Sequence, residues 1–265
     1  MAIPARQFPV EQPPAHIAQN HGWPRFPFPA ALGAIALAGI ASWFSFLETT
    51  KHHPLLKLGG AMFIAASGMA IVVAARHLGG HPDLGATAVA GGRWAAGTRG
   101  ALQVVLAPVV ASLSMSAALI HFAVIQEHWR EYFLYGAFFV LAGLFQIVWM
   151  FLVVTRPSAF LYAVGLVGNL GIAAAWVVTR TVGVLVGPAA KETEMVGFGD
   201  ALSTVFEVLI VVGCAVLLRQ SWARIPLDGA RAEVVVDVSL VAITTITILG
   251  LFSAVGGPPF VSHVG

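Results

Sequence analysis

Seven runs of mostly apolar residues follow one another along this chain, near 30–47, 55–75, 101–126, 132–154, 159–179, 200–218 and 233–252. A helix needs about 20 such residues to cross the hydrocarbon core of a bilayer. The pattern predicts an all-α fold, a polytopic membrane helix bundle of about seven transmembrane helices. A tail at 1–29, a seven-span domain at 30–252 and a short tail at 253–265 make up the chain. Span two is the softest, because Lys57 falls in its first turn; a lysine there snorkels its ammonium to the interface along its aliphatic stem.

Composition removes the other classes. Of the 265 residues, 58% are hydrophobic and 10% charged, where an ordinary soluble domain carries roughly 25% charged residues. A soluble enzyme and a disordered chain are excluded. One cysteine, Cys214, allows no internal disulfide and no cysteine-based metal or redox site. Net charge is +2, with no basic patch dense enough for phosphate, so no nucleic acid is expected. The first 29 residues hold seven prolines rather than the basic and apolar regions of a signal peptide. Proline fixes φ and lacks the N–H, so this tail is expected to be extended or irregular. Trp23, Phe26 and Phe28 precede span one, where aromatic rings anchor at headgroup level.

Positive charge orients the spans. Arg6, Arg25, Arg76, Arg93, Arg99, Arg156, Arg219, Arg224 and Arg231 fall on one side, nine in all. Lys51, Lys57, Arg130, Arg180 and Lys191 fall on the other, five in all. The N-terminus is therefore expected in the cytoplasm and the C-terminus outside, in a bacterial plasma membrane. Most of the acids and histidines close to apolar spans then gather at the outer side.

Residues seven apart share a helix face. Ser114, His121 and His128 form one such stripe, and Tyr162, Asn169 and Trp176 another; Asp200 and Glu207 share a face of span six, and Asp237 and Thr244 one of span seven. Gln146 and Trp149 are neighbours at i,i+3. Polar groups in hydrocarbon are costly, so these stripes are expected to face the interior. His121 and Glu207 are the ionisable residues deepest in their spans, one to two turns below the outer surface on this reading. An unpaired charge there costs at least ~2.5–3.5 kcal/mol, and the simplest partner of each is the other.

Imidazole with carboxylate suits copper(II), zinc or iron. A metal set of His121, His128, Glu131 and Glu207 is expected, supported by Glu127, Gln146, Asn169, Glu194 and Asp200. The competing reading makes Glu127, Arg130 and Glu131 a solvated helix tip with surface ion pairs, and Asn169 a helix–helix hydrogen bond. Tyr162 and Trp176 read as packing. The loop at 180–200 is either a plain acidic connector or a cover that brings Glu192 or Glu194 to the site. Asp200 is also a candidate N-cap of span six. His52 and His53 lie at the turn before Pro54; His263 reads as a free tail residue.

The segments His121-Phe, Glu127-His128-Trp129, Gln146 with Trp149, Arg156-Pro157, Asn169-Leu with Trp176, Arg180-Thr-x-Gly183, Gly187-Pro188 and Glu194-x-x-Gly with Asp200 and Glu207 cover about a third of the chain. In these the sequence resembles a group of uncharacterised actinobacterial multi-pass membrane proteins. The resemblance implies a membrane protein and brings no activity.

Several chemistries are excluded. The last span has no lysine for a retinal Schiff base. No GxxxxGK[ST] loop for a nucleotide, no HExxH and no CxxCH for c-type haem is present. Three functions stay open: a transition-metal site near the outer face with a handling or redox role, a proton-coupled small transporter, and a non-catalytic subunit or scaffold. The bilayer is the expected partner, with other membrane subunits or a homo-oligomer besides.

Overall fold

Six helices long and apolar enough to span a bilayer are present among the described residues. We label them α1 (Pro54–Leu78), α2 (Trp94–Glu131), α3 (Phe133–Thr155), α4 (Ala159–Thr181), α5 (Phe198–Leu218) and α6 (Gly229–Ala254). The computed structural model describes residues 44–78, 94–219 and 229–255, all within one compact unit of the chain, 39–265. A short helix at 44–49 precedes α1. Most of the first expected span, 30–47, lies outside the described residues, as do the 1–29 tail and residues 256–265. The other six spans fall on α1 to α6.

Local chemistry sets where the chain turns. Tyr132 alone separates α2 from α3, in extended backbone at φ −160°. Between α3 and α4, Pro157 drives the preceding Arg156 out of helical geometry, to φ −140°, ψ 59°. Ser158 then caps α4 by accepting from the Leu161 N–H at 3.3 Å. Both connections reverse the chain, so α2 to α4 run antiparallel. Residues 128–133 and 181–198 share one end of the bundle, here the loop end. Arg130 and Glu48, 3.9 Å apart, place the start of the described chain at that end too.

α2 is the central helix, packed by α1, α3, α5 and α6. Its middle is a run of small residues, Ala111, Ser112, Ser114, Ser116, Ala117 and Ala118, all buried. Small side chains let neighbouring backbones approach closely where lipid supplies no hydrophobic drive. The three serine hydroxyls of this run are satisfied: Ser112 donates to the Pro108 carbonyl at 2.7 Å, Ser114 to the Gln146 carbonyl at 2.9 Å, and Thr247 of α6 donates to Ser116 at 2.7 Å. The peripheral helices instead turn Leu141, Val148, Val167, Leu209 and Val241 outward, 47–69% exposed. Apolar faces of that extent need lipid around them. The protein is a multi-pass membrane helix bundle.

Lys57 lies in the first turn of α1, as the sequence expects, and is buried, with its ammonium 4.5 Å from the centroid of the Phe252 ring on α6. The ring face attracts the ammonium electrostatically.

Candidate functional site

His121 and Glu207 meet in the middle of the bundle. The imidazole Nε2 of His121 lies 2.9 Å from Oε1 of Glu207, with the residues 4% and 1% exposed. His121 stands ten residues before the end of α2 and Glu207 nine after the start of α5. At 1.5 Å per residue each is about 14–15 Å below the loop end. The last turn of α2, 127–131, is polar and mostly exposed, so His121 stands five residues inside the apolar run that ends at 126, and Glu207 seven inside the one that starts at 200.

The second oxygen of Glu207, Oε2, is buried without a hydrogen-bond partner. Glu207 lines a cavity of about 320 Å3 that reaches toward the loop end. α2 contributes His121 and His128 to its wall, α3 Tyr135, Phe138 and Phe139, α4 Ile172, Trp176 and Arg180, and α5 Asp200, Ser203 and Thr204. Val184, Leu185, Val186 and Glu194 of the 182–197 loop cover it.

α3 and α4 are splayed around this cavity. Toward the opposite end they touch: Trp149 packs on Gly165 and Phe145 on Gly168, each so closely that a Cβ on the glycine would meet the ring. Gln146 donates to the Asn169 side chain at 3.2 Å, Asn169 to the Gly165 carbonyl at 2.8 Å, and the Trp149 indole to the Leu161 carbonyl at 2.7 Å. Gln146 and Asn169 thus tie two helices together below the cavity. Toward the loop end the cavity separates the same helices. Leu134 and Phe138 line it while 41% and 40% exposed, so its wall opens on the lipid-facing side of α3.

Arg180 organises the upper part. It donates to Asp200 at 2.9 Å and to Thr179 at 2.6 Å, and pairs with Glu194. Its guanidinium carbon lies 5.1 Å from the centroid of the Trp176 ring, and its side chain is only 12% exposed. Two carboxylates on one guanidinium hold the start of α5 and the loop against α4. The loop is further fixed by Tyr135, which donates to the Val186 carbonyl at 2.6 Å, and by paired backbone bonds between Val184 and 191–192. Gly183 and Gly187 sit at φ +100° and +89°, where L side chains are strained.

The expected metal set is not assembled. Among the described residues no group of three or more His, Cys, Asp or Glu stands ready to hold a metal ion. His121 and Glu207 meet as predicted. His128 lines the same cavity, but its Nδ1 donates to the Val124 carbonyl at 2.9 Å. The Phe139 ring packs on both imidazoles, 5.6 Å from His121 and 4.3 Å from His128 by centroid, and fills the space in which they would converge. Glu131 and Glu127 are exposed, and Arg130 approaches Glu48 rather than either of them.

Asp200 is not the N-cap of α5. Gly197 holds that position, and Asp200 lies in the first turn bound to Arg180. Glu194 does reach the cavity; Glu192 is exposed and contributes its carbonyl to the loop. Sequence reasoning missed Trp176, read as packing, and Arg180, counted only as an outer charge. The signal was present: an arginine closing one apolar run, with acids on both sides of the next loop. Trp176 Nε1 and Arg180 Nε join Glu207 Oε2 as buried atoms without hydrogen-bond partners. All three residues line the cavity.

Comparison with protein-family models, with curated proteins and with solved structures finds no match for this chain.

Proposed function

We propose that this chain is a proton-linked carrier of a small molecule in a bacterial plasma membrane, with His121 and Glu207 as its proton-holding pair. One observation carries the reading: a buried imidazole–carboxylate pair inside the bundle lines a cavity, with one carboxylate oxygen unpartnered. Ionisable groups inside a membrane are costly, and they mark proton relays and substrate paths. A single hydrogen bond between them lets one proton be held or released without breaking the contact. Below the pair, Gln146, Asn169, Trp149 and Met150 pack tightly and separate the cavity from the opposite end. A one-sided cavity above a closed layer is what one state of an alternating carrier needs. The arginine counts favour an open side outside the cell.

Metal handling is the second reading. The adjacent Nε2 and free Oε2 favour it, and copper, zinc or iron on that pair would take its remaining ligands from solutes. One set of samples separates the two. The purified chain is reconstituted in liposomes holding a pH-reporting dye, and organic cations, organic anions, neutral solutes and metal salts are added in turn. We expect at least one organic class to move protons, and Glu207→Gln to stop it. Proton movement by none of them, with about one equivalent of metal retained and lost in His121→Ala, overturns the carrier reading in favour of the metal.

A further inference from the structure

We infer that the cavity takes an amphipathic organic cation, its charge against the free Oε2 of Glu207 and its apolar body between α3 and α4. This rests on the carrier reading and names its substrate class. Charge decides first. The cavity wall carries Glu194, Asp200 and Glu207 against one permanent cation, Arg180. Arg180 is already shared by two carboxylates, so it has no charge to spare for an anionic guest. With both histidines neutral the wall is net −2; with His121 protonated it is net −1. Each state favours a guest of positive charge.

The unpartnered oxygen places that charge. Oε2 is buried without a hydrogen bond, and its residue, 1% exposed, lines the cavity. Aromatic rings of Phe138, Phe139, Tyr135 and Trp176 surround the space above it. Their faces attract organic cations more than anions of the same shape. The wall is otherwise apolar and opens through Leu134 and Phe138 toward lipid. A guest with an apolar body reaches it from the bilayer as well as from the loop end.

Proton coupling follows from competition for one carboxylate. A proton on the His121–Glu207 pair lowers the negative charge that holds the guest, and an arriving cation displaces that proton to water, one for one. The other ionisable groups facing the cavity are His128, Tyr135, Arg180, Glu194 and Asp200. Lys57 of α1 and Glu233 and Asp237 of α6 do not line it.

The test is calorimetric titration of the full chain in lipid nanodiscs with three probes sharing one phenyl ring. These are benzyltrimethylammonium, its neutral carbon isostere neopentylbenzene, and benzenesulfonate. The quaternary nitrogen has no proton of its own, so any pH dependence belongs to the protein. We expect the cation to bind at least about tenfold tighter than either other probe, as a desolvated charge pair implies. Binding weakens as pH falls and releases protons to the buffer. Glu207→Gln, which keeps a partner for His121, removes both the preference and the proton release; Glu207→Asp restores part of each. Glu131→Gln, at an exposed residue outside the cavity, leaves them in place. Equal or tighter binding of benzenesulfonate or neopentylbenzene overturns the cation assignment. So does a preference unchanged in Glu207→Gln. Proton movement driven by an organic anion in the liposome assay leaves the carrier standing and rejects only the cation.

Discussion

Removing the His121 imidazole leaves Glu207 with neither carboxylate oxygen hydrogen-bonded, because Oε1 is bound only there and Oε2 has no partner. A buried charge stripped of its partner is strongly destabilising, up to ~3–5 kcal/mol. Taking up a proton relieves part of that cost. His121→Ala is therefore expected to lower stability by about 1–3 kcal/mol, read by denaturant titration of helix content in micelles. Glu207→Gln keeps an acceptor and a donor beside Nε2 and is expected to cost under about 1 kcal/mol. The double variant should recover much of the loss of His121→Ala alone; strict additivity would mean that the pair is not coupled. These two residues were legible from sequence, since ionisable groups in apolar runs need partners. For Glu131 the sequence held two readings, a ligand and part of a solvated helix tip, and its exposure agrees with the second. For His128, helix spacing gave the right face but knew nothing of Phe139, which packs on both imidazoles.

Arg180 joins three segments: the end of α4, the covering loop and the first turn of α5. Arg180→Ala leaves Glu194 and Asp200 without their common cation while α4 and α5 keep their apolar packing. The loop should loosen and the helices stay. Hydrogen exchange across 183–197 is expected to quicken at least about tenfold, as loss of a charge-assisted bond of ~1.5–3 kcal/mol implies. Unchanged exchange would show that Tyr135 and the glycine turns suffice. Gly165 tests the opposite end of α4: Gly165→Val sets branched carbons into the Trp149 ring and should cost about 1–3 kcal/mol by overpacking. The helices themselves were readable because a bilayer allows few other solutions. The splay of α3 from α4 was not. Hydrophobic periodicity states which face is apolar, but not whether a partner helix or a cavity lies against it. Trp176 reads the same in either case.

The sidedness of the bundle decides which compartment the cavity serves, and a single-cysteine series resolves it. Cys214 is buried and is the chain's only cysteine, so Cys214→Ser gives a clean background. Lys191 is exposed in the covering loop, and Arg156 is exposed at the turn between α3 and α4, at the opposite end of the bundle. Nine arginines fall on the Arg156 side by sequence, against five basic residues on the other. Retention of basic loops on the cytoplasmic side then puts Arg156 inside and Lys191 outside. Lys191→Cys is expected to react with a membrane-impermeant maleimide on intact cells, and Arg156→Cys only after permeabilisation. The reverse result would turn the cavity to the cytoplasm, where the same Glu207 would face guests leaving the cell rather than entering it. Retained positive charge and a net acidic cavity are independent properties of this chain. That the arginines gather at one end and the acidic cavity opens at the other means that a guest cation inside the cavity faces one permanent cation, Arg180, which is already held by Glu194 and Asp200.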